Sequence, residues 1–225
     1  MSDMLRQLMD NHVILMGIWE TIYMTVISSA FAYLLGLPLG VLLQVTSDTG
    51  IRPKRVLNRV VGFAVNFFRS IPFIILMVAM LPVARFVVGT ALGNKAVIVM
   101  LVIAAAPYVA RMVESSLNEV DSGVIEAAQA MGANTFQVIW KVLLPEARPS
   151  LLNGATIAMV TILGYSAMAA TIGGTGLGQI AITYGHQRSK GDVIWVCVIL
   201  MVVIVQIIQE IGTRAAKLSD RRIQE

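Results

Sequence analysis

Residues that commonly carry chemistry are few in this chain and stand far apart. His12 and His186 are separated by most of the sequence, and the single cysteine, Cys197, lies within an apolar run. A lone cysteine can form neither an internal disulfide nor a cysteine cluster for a metal. No nucleophile stands beside a general base in a spacing typical of covalent catalysis. We therefore expect no catalytic residue and no metal site.

A glycine-rich stretch, residues 173–178, invites comparison with a phosphate-binding loop. It lacks the Lys-Ser/Thr pair of a P-loop, and its glycines do not follow the G-x-G-x-x-G spacing. Its glycine content also disfavours a stable helix. We interpret it as a turn at the level of the membrane.

The longest polar segment between apolar runs begins near residue 121 and has a clear local pattern. Asp121 or Ser122 can cap a short helix whose first turn carries Glu126. Gly132 can end that helix in the left-handed conformation that glycine tolerates. The pattern predicts a short polar helix followed by a glycine turn.

A second helix is predicted directly after this turn. Asn134 and Gln137 have the spacing of a capping box, with asparagine in place of serine or threonine. Pro145 is expected to close the helix, since proline disfavours helix at the residue before it. One apolar face is expected, formed by Phe136, Ile139, Val142 and Leu143. These features alone would also suit an interfacial hairpin that merely links two membrane spans.

The elements that must position this segment are membrane spans. The 225 residues are 57% hydrophobic and 13% charged, whereas soluble domains average about 45–50% apolar and ~25% charged residues. We expect an all-α integral membrane protein, one transmembrane domain over residues 1–225. A crossing needs roughly 20 residues, and the third of five predicted spans is extended through Arg111 and Glu114 to reach that length. The five apolar stretches are residues 21–47, 60–84, 96–110, 151–170 and 193–209.

Two of these spans carry internal irregularities. Gly36, Pro38 and Gly40 interrupt the first, which indicates a kink or a close helix contact. Arg69 interrupts the second. We expect Arg69 near an interface, with residues 59–69 forming a helix that enters the membrane obliquely.

The distribution of basic residues predicts the orientation. With the N-terminus outside, eleven Lys/Arg residues lie on the cytoplasmic side and five lie outside, with Arg69 unassigned, which is the bias expected of inner-membrane proteins. The net charge of +4 therefore reflects topology and not nucleic-acid binding. Residues 1–12 lack the basic region of a cleaved signal peptide. The cytoplasmic set is Arg52, Lys54, Arg55, Arg59, Arg111, Lys141, Arg148, Arg214, Lys217, Arg221 and Arg222, and the outer set is Arg6, Arg85, Lys95, Arg188 and Lys190.

The polar segment resembles the EAA loop of ABC importer permeases. The residues that carry the resemblance are Glu126, Ala127, Ala128, Gly132, Val142, Leu144 and Pro145. The resemblance implies the type I importer fold in a bacterial inner membrane, and a cytoplasmic coupling loop over residues 114–149 that docks on an ATPase subunit. It further implies a homodimer with two ATPase subunits, which bind the ATP and Mg²⁺, and a substrate-binding protein on the outer side.

Three further stretches, residues 67–73, 106–114 and 164–168, resemble the permease subunits of methionine importers. This resemblance implies methionine as substrate, with the D isomer as a candidate beside the L isomer. The chain departs from the pattern at residues 169–172, where more glycine is expected. That departure bears on the packing of the pathway more than on the assignment.

The fourth span holds a candidate gate. Tyr165 and Met168 are three residues apart, so a helix places them on one face, with small Ser166 and Ala167 between them. Since this span lines the pathway in the importers that the chain resembles, we expect Tyr165, Ser166 and Met168 to form an apolar gate. Ordinary helix packing would explain the same spacing.

Two other functions stay open. A permease of the same superfamily could carry another amino acid or small solute, although residues 151–170 offer no ionisable side chain except Tyr165. A secondary transporter without an ATPase would usually show inverted repeats and charged groups in mid-span. We find no convincing repeat and no acidic residue in mid-span.

Overall fold

The computed structural model describes residues 7–8 and 10–220, and every regular element in that part of the chain is helical. Arg6, Arg221 and Arg222, which enter the charge count, lie outside the described residues. From residue 13 to residue 220 the α-helices are α1 (Val13–Thr46), α2 (Arg55–Ser70), α3 (Phe73–Ala79), α4 (Leu81–Val88), α5 (Asn94–Asn118), α6 (Ser122–Ala130), α7 (Thr135–Val138), α8 (Leu144–Glu146), α9 (Arg148–Met168), α10 (Leu177–Ile180) and α11 (Gly191–Ser219). Two π-helices, Ile139–Leu143 and Ala181–His186, and the 3₁₀ segment Ala169–Ile172 complete the order.

Four helices of the described chain are long and apolar enough to cross a membrane: α1, α5, α9 with its 3₁₀ extension, and α11. A fifth span is obtained when α2 and α3 are counted as one broken crossing. The break falls at Ile71 and Pro72, because the residue before a proline avoids helical geometry and proline cannot continue the hydrogen-bond ladder. The all-helical membrane fold is confirmed, and the helix expected over residues 59–69 begins four residues earlier, at Arg55.

The close helix contact expected in the first span is confirmed. A β-carbon on Gly36 would lie 2.7 Å from the Val109 side chain, and one on Gly40 would lie 2.6 Å from the Ala110 carbonyl oxygen. Pro38 lies inside α1, which continues through it. The two glycines thus let the backbone of α1 approach α5, as small residues do between membrane helices.

The chain divides into two compact units, each described here by itself. The first contains residues 1–31, 71–104 and 159–209, and the second contains residues 32–70, 105–158 and 210–225. Leu177, Ile180, Val193 and Cys197 belong to the core of the first, and Leu43, Val65 and Ala110 form a core of the second. The assignment of residues 1–225 to one domain stays a prediction.

The glycine-rich stretch forms a turn within the first unit. Gly173 and Gly176 have positive φ angles of 83° and 102°, which glycine adopts at no steric cost. The Asn94 carboxamide oxygen accepts hydrogen bonds from the Thr175 amide (3.1 Å) and hydroxyl (2.8 Å), which fixes the turn. Helix resumes at Leu177, so the turn predicted over residues 173–178 is wrong for Leu177 and Gly178, which lie in α10.

Candidate functional site

The polar segment begins with α6, which Asp121 caps. Its carboxylate accepts a hydrogen bond from the Gly123 amide at 2.7 Å, so the helix starts at Ser122. Glu126 is then the fifth helical residue, and its expected place in the first turn is wrong. The Glu126 side chain is exposed and makes no hydrogen bond or ion pair with any described residue. It is free to contact a partner.

Gly132 ends α6 as predicted. Its φ is +84°, and the amides of Gly132 and Ala133 donate to the carbonyls of Gln129 and Ala128 at 2.9 and 3.1 Å. These two bonds are the Schellman motif, which satisfies carbonyls that a helix end leaves unpaired. The small residues of the motif differ in exposure: Ala127 is exposed, whereas Ala128 is buried.

The capping box of the second helix is also confirmed. The Asn134 side chain accepts from the Gln137 amide, and the Gln137 side chain accepts from the Asn134 amide, both at 2.9 Å. The helix does not end at Pro145, and that prediction is wrong. The π-helix Ile139–Leu143 runs directly into α8 with Leu143 and Leu144 in helical geometry, and Pro145 lies at the start of α8, directly after the wide turn.

The apolar face predicted for this helix is partly wrong. Val138 and Leu143 are fully buried, whereas Phe136 is 67% exposed. Ile139, also on the predicted face, is half-buried. The wide turn of the π-helix spaces the buried positions Val138 and Leu143 by five residues, so a 3.6-residue period wrongly adds Phe136 to the buried side. Val142 and Leu144 are half-buried, and Pro145 is exposed.

Three large apolar side chains stand out from this segment instead. Met131, Phe136 and Trp140, which we call the apolar ridge, are 83%, 67% and 58% exposed. The rings of Phe136 and Trp140 lie 6.0 Å apart, centroid to centroid. Sequence reasoning missed Met131 and Trp140, although the four-residue spacing of the two aromatic residues was a usable signal. Exposed aromatic and methionine side chains are typical of protein interfaces.

A recess of about 690 Å³ adjoins this segment within the second unit. Val142 and Pro145 of the predicted coupling set line it, together with Lys141 and Glu119. The segment therefore offers a partner both an apolar ridge and a polar concave surface.

The structure separates the three residues proposed for the gate. The Tyr165 ring stacks on the Phe73 ring at 4.2 Å between centroids, with 6° between the planes. Ser166 is buried, and its hydroxyl donates to the Leu163 carbonyl at 2.7 Å. Met168 is 49% exposed. Only Met168 of the three lies on an open face of α9.

That open face extends along the helix. Met168 is an exposed large apolar residue, Gly164 is exposed, and a β-carbon on Gly164 would meet nothing within 4 Å. Within the first unit, positions 164, 168 and 171 recur at helical spacing and form one stripe, which reaches into the 3₁₀ segment. A second copy of the chain could pack along such a stripe, or a transport pathway could follow it.

Comparison with known proteins identifies the family. Residues 36–225 match the family model described as the binding-protein-dependent transport system inner membrane component. The chain belongs to this family. Membership makes it a multi-pass inner-membrane component of a transport system, and not the catalytic subunit of one.

Relatives and solved structures agree with the assignment. The chain is 48% identical over 214 residues to the probable D-methionine transport system permease protein MetI of Vibrio cholerae, with 95% of each chain covered. It is 54% identical over 152 residues to the D-methionine transport system permease protein MetI of Escherichia coli, covering 68% of this chain and 70% of that one.

The fold is likewise similar to a chain of the MetNI methionine ABC transporter solved in inward-facing conformations. The TM-score is 0.93 at 46% identity, over 98% of this chain and 100% of that one. An amino acid ABC transporter solved with histidines shares the fold alone, with a TM-score of 0.71 at 19% identity over 99% of each chain.

Proposed function

We propose that this chain is the membrane-spanning permease subunit of an ATP-driven methionine importer, and that it carries L- or D-methionine inward by alternating access. Two findings agree and carry the proposal. The Vibrio cholerae D-methionine permease matches 95% of this chain at 48% identity, and the fold is similar to that of the MetNI methionine transporter. Another amino acid or small solute is the alternative substrate.

In this proposal two copies of the chain form the pathway and two ATPase subunits bind below them. Each ATPase subunit contacts the segment that includes Glu126, Ala127, Ala128, Gly132, Val142, Leu144 and Pro145. The exposed Glu126 and the apolar ridge support this role, since a docking surface needs unpaired polar groups and large apolar side chains. ATP and Mg²⁺ bind to the ATPase, and a substrate-binding protein delivers methionine from outside.

The orientation in this proposal has the N-terminus outside and the C-terminus in the cytoplasm. The excess of basic residues beside the ends of the spans supports it. The same orientation puts Glu126 on the side of the membrane where ATP is available.

The first test is ATP hydrolysis by the chain purified with its ATPase and binding protein in lipid nanodiscs. Hydrolysis should rise several-fold when the binding protein is loaded with L- or D-methionine. The control is the same complex with the binding protein mixed with a polar amino acid such as glutamine, which should not raise the rate of ATP hydrolysis. Equal stimulation by the control would contradict the substrate assignment, and failure of the ATPase to co-purify would contradict the permease role.

A further inference from the structure

A polar cavity of about 310 Å³ opens in the second unit. None of the seven coupling residues lines it, nor does Met168, but it shares Ser116, Glu119, Ser150 and Asn153 with the larger recess. Its wall is built by the end of α2, one face of α5 and the beginning of α9. Polar and charged residues of that wall include Arg69, Tyr108, Arg111, Ser115, Glu119 and Asn153. The volume is at the small end of the range for small-molecule sites.

Arg111 already has partners inside the unit. Its Nη1 donates to Glu114 Oε2 at 2.6 Å, its Nε to Asn66 Oδ1 at 3.2 Å, and its Nη2 to the Gly62 carbonyl at 3.3 Å. The charge of this guanidinium is therefore neutralised by Glu114. Arg111 ties α2 to α5 and is not available as the main group for an incoming anion.

Arg69 is in the opposite situation. Its side chain is exposed and forms no hydrogen bond or ion pair with residues 7–8 or 10–220, although it follows two phenylalanines in an apolar sequence. Arg69 therefore offers a fork of unused donors that matches a carboxylate.

The remaining charge in the wall has the opposite sign. Glu119 is exposed and also lacks a partner among the described side chains. With Arg111 neutralised, the cavity presents one unpaired cation and one unpaired carboxylate. This balance suits a ligand that carries both charges, and it suits a phosphate less well.

Uncharged polar groups complete the wall. Tyr108 and Ser115 lie seven residues apart on α5, about 10 Å along the axis, and Asn153 faces them from α9. Ser116 and Ser150 also reach the cavity, but their hydroxyls bond each other at 3.0 Å. Tyr108, Ser115 and Asn153 supply hydroxyl and amide groups for an ammonium or a carboxylate.

We propose that this cavity is a binding site for a zwitterionic α-amino acid, with its carboxylate on the Arg69 guanidinium. The inference rests on the proposed function, because it gives the transported amino acid a place to bind within each copy of the chain. It also supplies the charged contact that the apolar gate residues lack.

Photolabelling tests this site in the assembled complex of the chain and its ATPase, in nanodiscs and without nucleotide. The probe is the diazirine analogue of methionine, and labelled positions are mapped by mass spectrometry of this chain's peptides. Label is expected within residues 108–119 and 150–157. Excess methionine should remove it, and methionine amide, which lacks the carboxylate, should compete at least tenfold less well.

Three variants and a matched control sharpen the test. Arg69→Gln should reduce the label at least tenfold, and Arg69→Lys, which keeps the charge without the fork, should reduce it less. Arg59→Gln removes a guanidinium from the same helix outside the cavity and should leave the label unchanged. Ser115→Leu, which fills the cavity from an exposed position, replaces Arg69→Gln if that variant does not assemble.

Three results would overturn the inference. The first is full labelling of Arg69→Gln, and the second is absence of label from both peptides in a complex that still imports methionine. The third is an anionic phospholipid that native mass spectrometry finds bound to the wild-type complex, that methionine does not displace, and that the Arg69→Gln complex does not bind. The last result would assign the cavity to a lipid headgroup. A wild-type complex that imports no methionine at all would instead contradict the proposed function.

Discussion

At the scale of residues, Gly132 is the position where the backbone conformation most clearly determines which residue type is tolerated. Its φ of +84° costs a residue with a β-carbon on the order of 1 kcal/mol or more. A β-carbon there would meet nothing within 4 Å, so the penalty comes from the backbone and not from a clash.

Gly132→Val should therefore disturb the end of α6 and with it the contact to the ATPase. We expect methionine uptake to fall at least fivefold while the variant still inserts in the membrane. The control is Ala130→Val, an exposed position in the same helix with ordinary helical geometry, which should keep most of the uptake. Normal uptake by Gly132→Val in an assembled complex would remove Gly132 from the coupling role.

Local hydrogen-bond motifs were the residue-scale features that the sequence predicted best. The Gly132 end and the Asn134–Gln137 capping box depend on neighbours within a few positions, so their residue types are sufficient evidence. Ser166 and Tyr165 show the limit. Ser166 is buried, which its spacing did not indicate, and the Tyr165 ring stacks on Phe73, a contact that joins distant parts of the chain.

At the scale of elements, the π-helix Ile139–Leu143 determines which side chains face outward. Five-residue spacing between Val138 and Leu143 keeps both buried and leaves Phe136 and Trp140 exposed. Sequence periodicity could not predict this, because it assumes a constant turn. The sequence predicts a helix stop at Pro145 for the same reason, since the wide turn that admits this proline has no local sequence signature.

The apolar ridge should carry much of the affinity for the ATPase. Phe136→Ala with Trp140→Ala should weaken co-purification of the ATPase at least tenfold, since buried aromatic residues at interface centres commonly cost 2 kcal/mol or more when truncated. Thermal stability of the chain alone should change little, because both side chains are exposed in it. Phe86→Ala removes a side chain that is 91% exposed outside this segment and is the control. Undiminished co-purification of the double variant would exclude the ridge from the interface.

At the scale of the whole molecule, hydropathy was enough to predict the spans, because the apolar runs are long and uninterrupted by comparison with soluble helices. The broken second span was harder, since Arg69 and Pro72 could mark either an interface or a break. The polar cavity could not be predicted, because its wall comes from three separate parts of the chain.

Orientation can be measured in intact cells with single cysteines placed at Gln137 and Gln187 in a Cys197→Ser background. With eleven basic residues on the cytoplasmic side against five outside, we expect an impermeant maleimide to label position 187 and not position 137. Labelling of both positions in permeabilised cells controls for access. The reverse pattern would invert the topology.

The open stripe on α9 predicts a contact between two copies of the chain. Met168→Cys should form a disulfide across the dimer in at least one nucleotide state, since Met168 is exposed on that stripe. Ser166→Cys, two residues away and buried, is the matched control and should not cross-link. If Met168→Cys fails to cross-link in every nucleotide state, Met168 is not a gate residue at the dimer axis.

The most direct measurement of the central claim is uptake of labelled L- and D-methionine by proteoliposomes that contain the chain, its ATPase and its binding protein. ATP should be supplied on the face that carries Glu126, and vesicles with a hydrolysis-deficient ATPase are the control. We predict that at least one isomer accumulates in the vesicles, and that this accumulation requires both ATP and the binding protein. Excess unlabelled methionine should suppress the accumulation, and excess glutamine should not. Accumulation without ATP, or no accumulation of either isomer by a complex that hydrolyses ATP, would contradict the account.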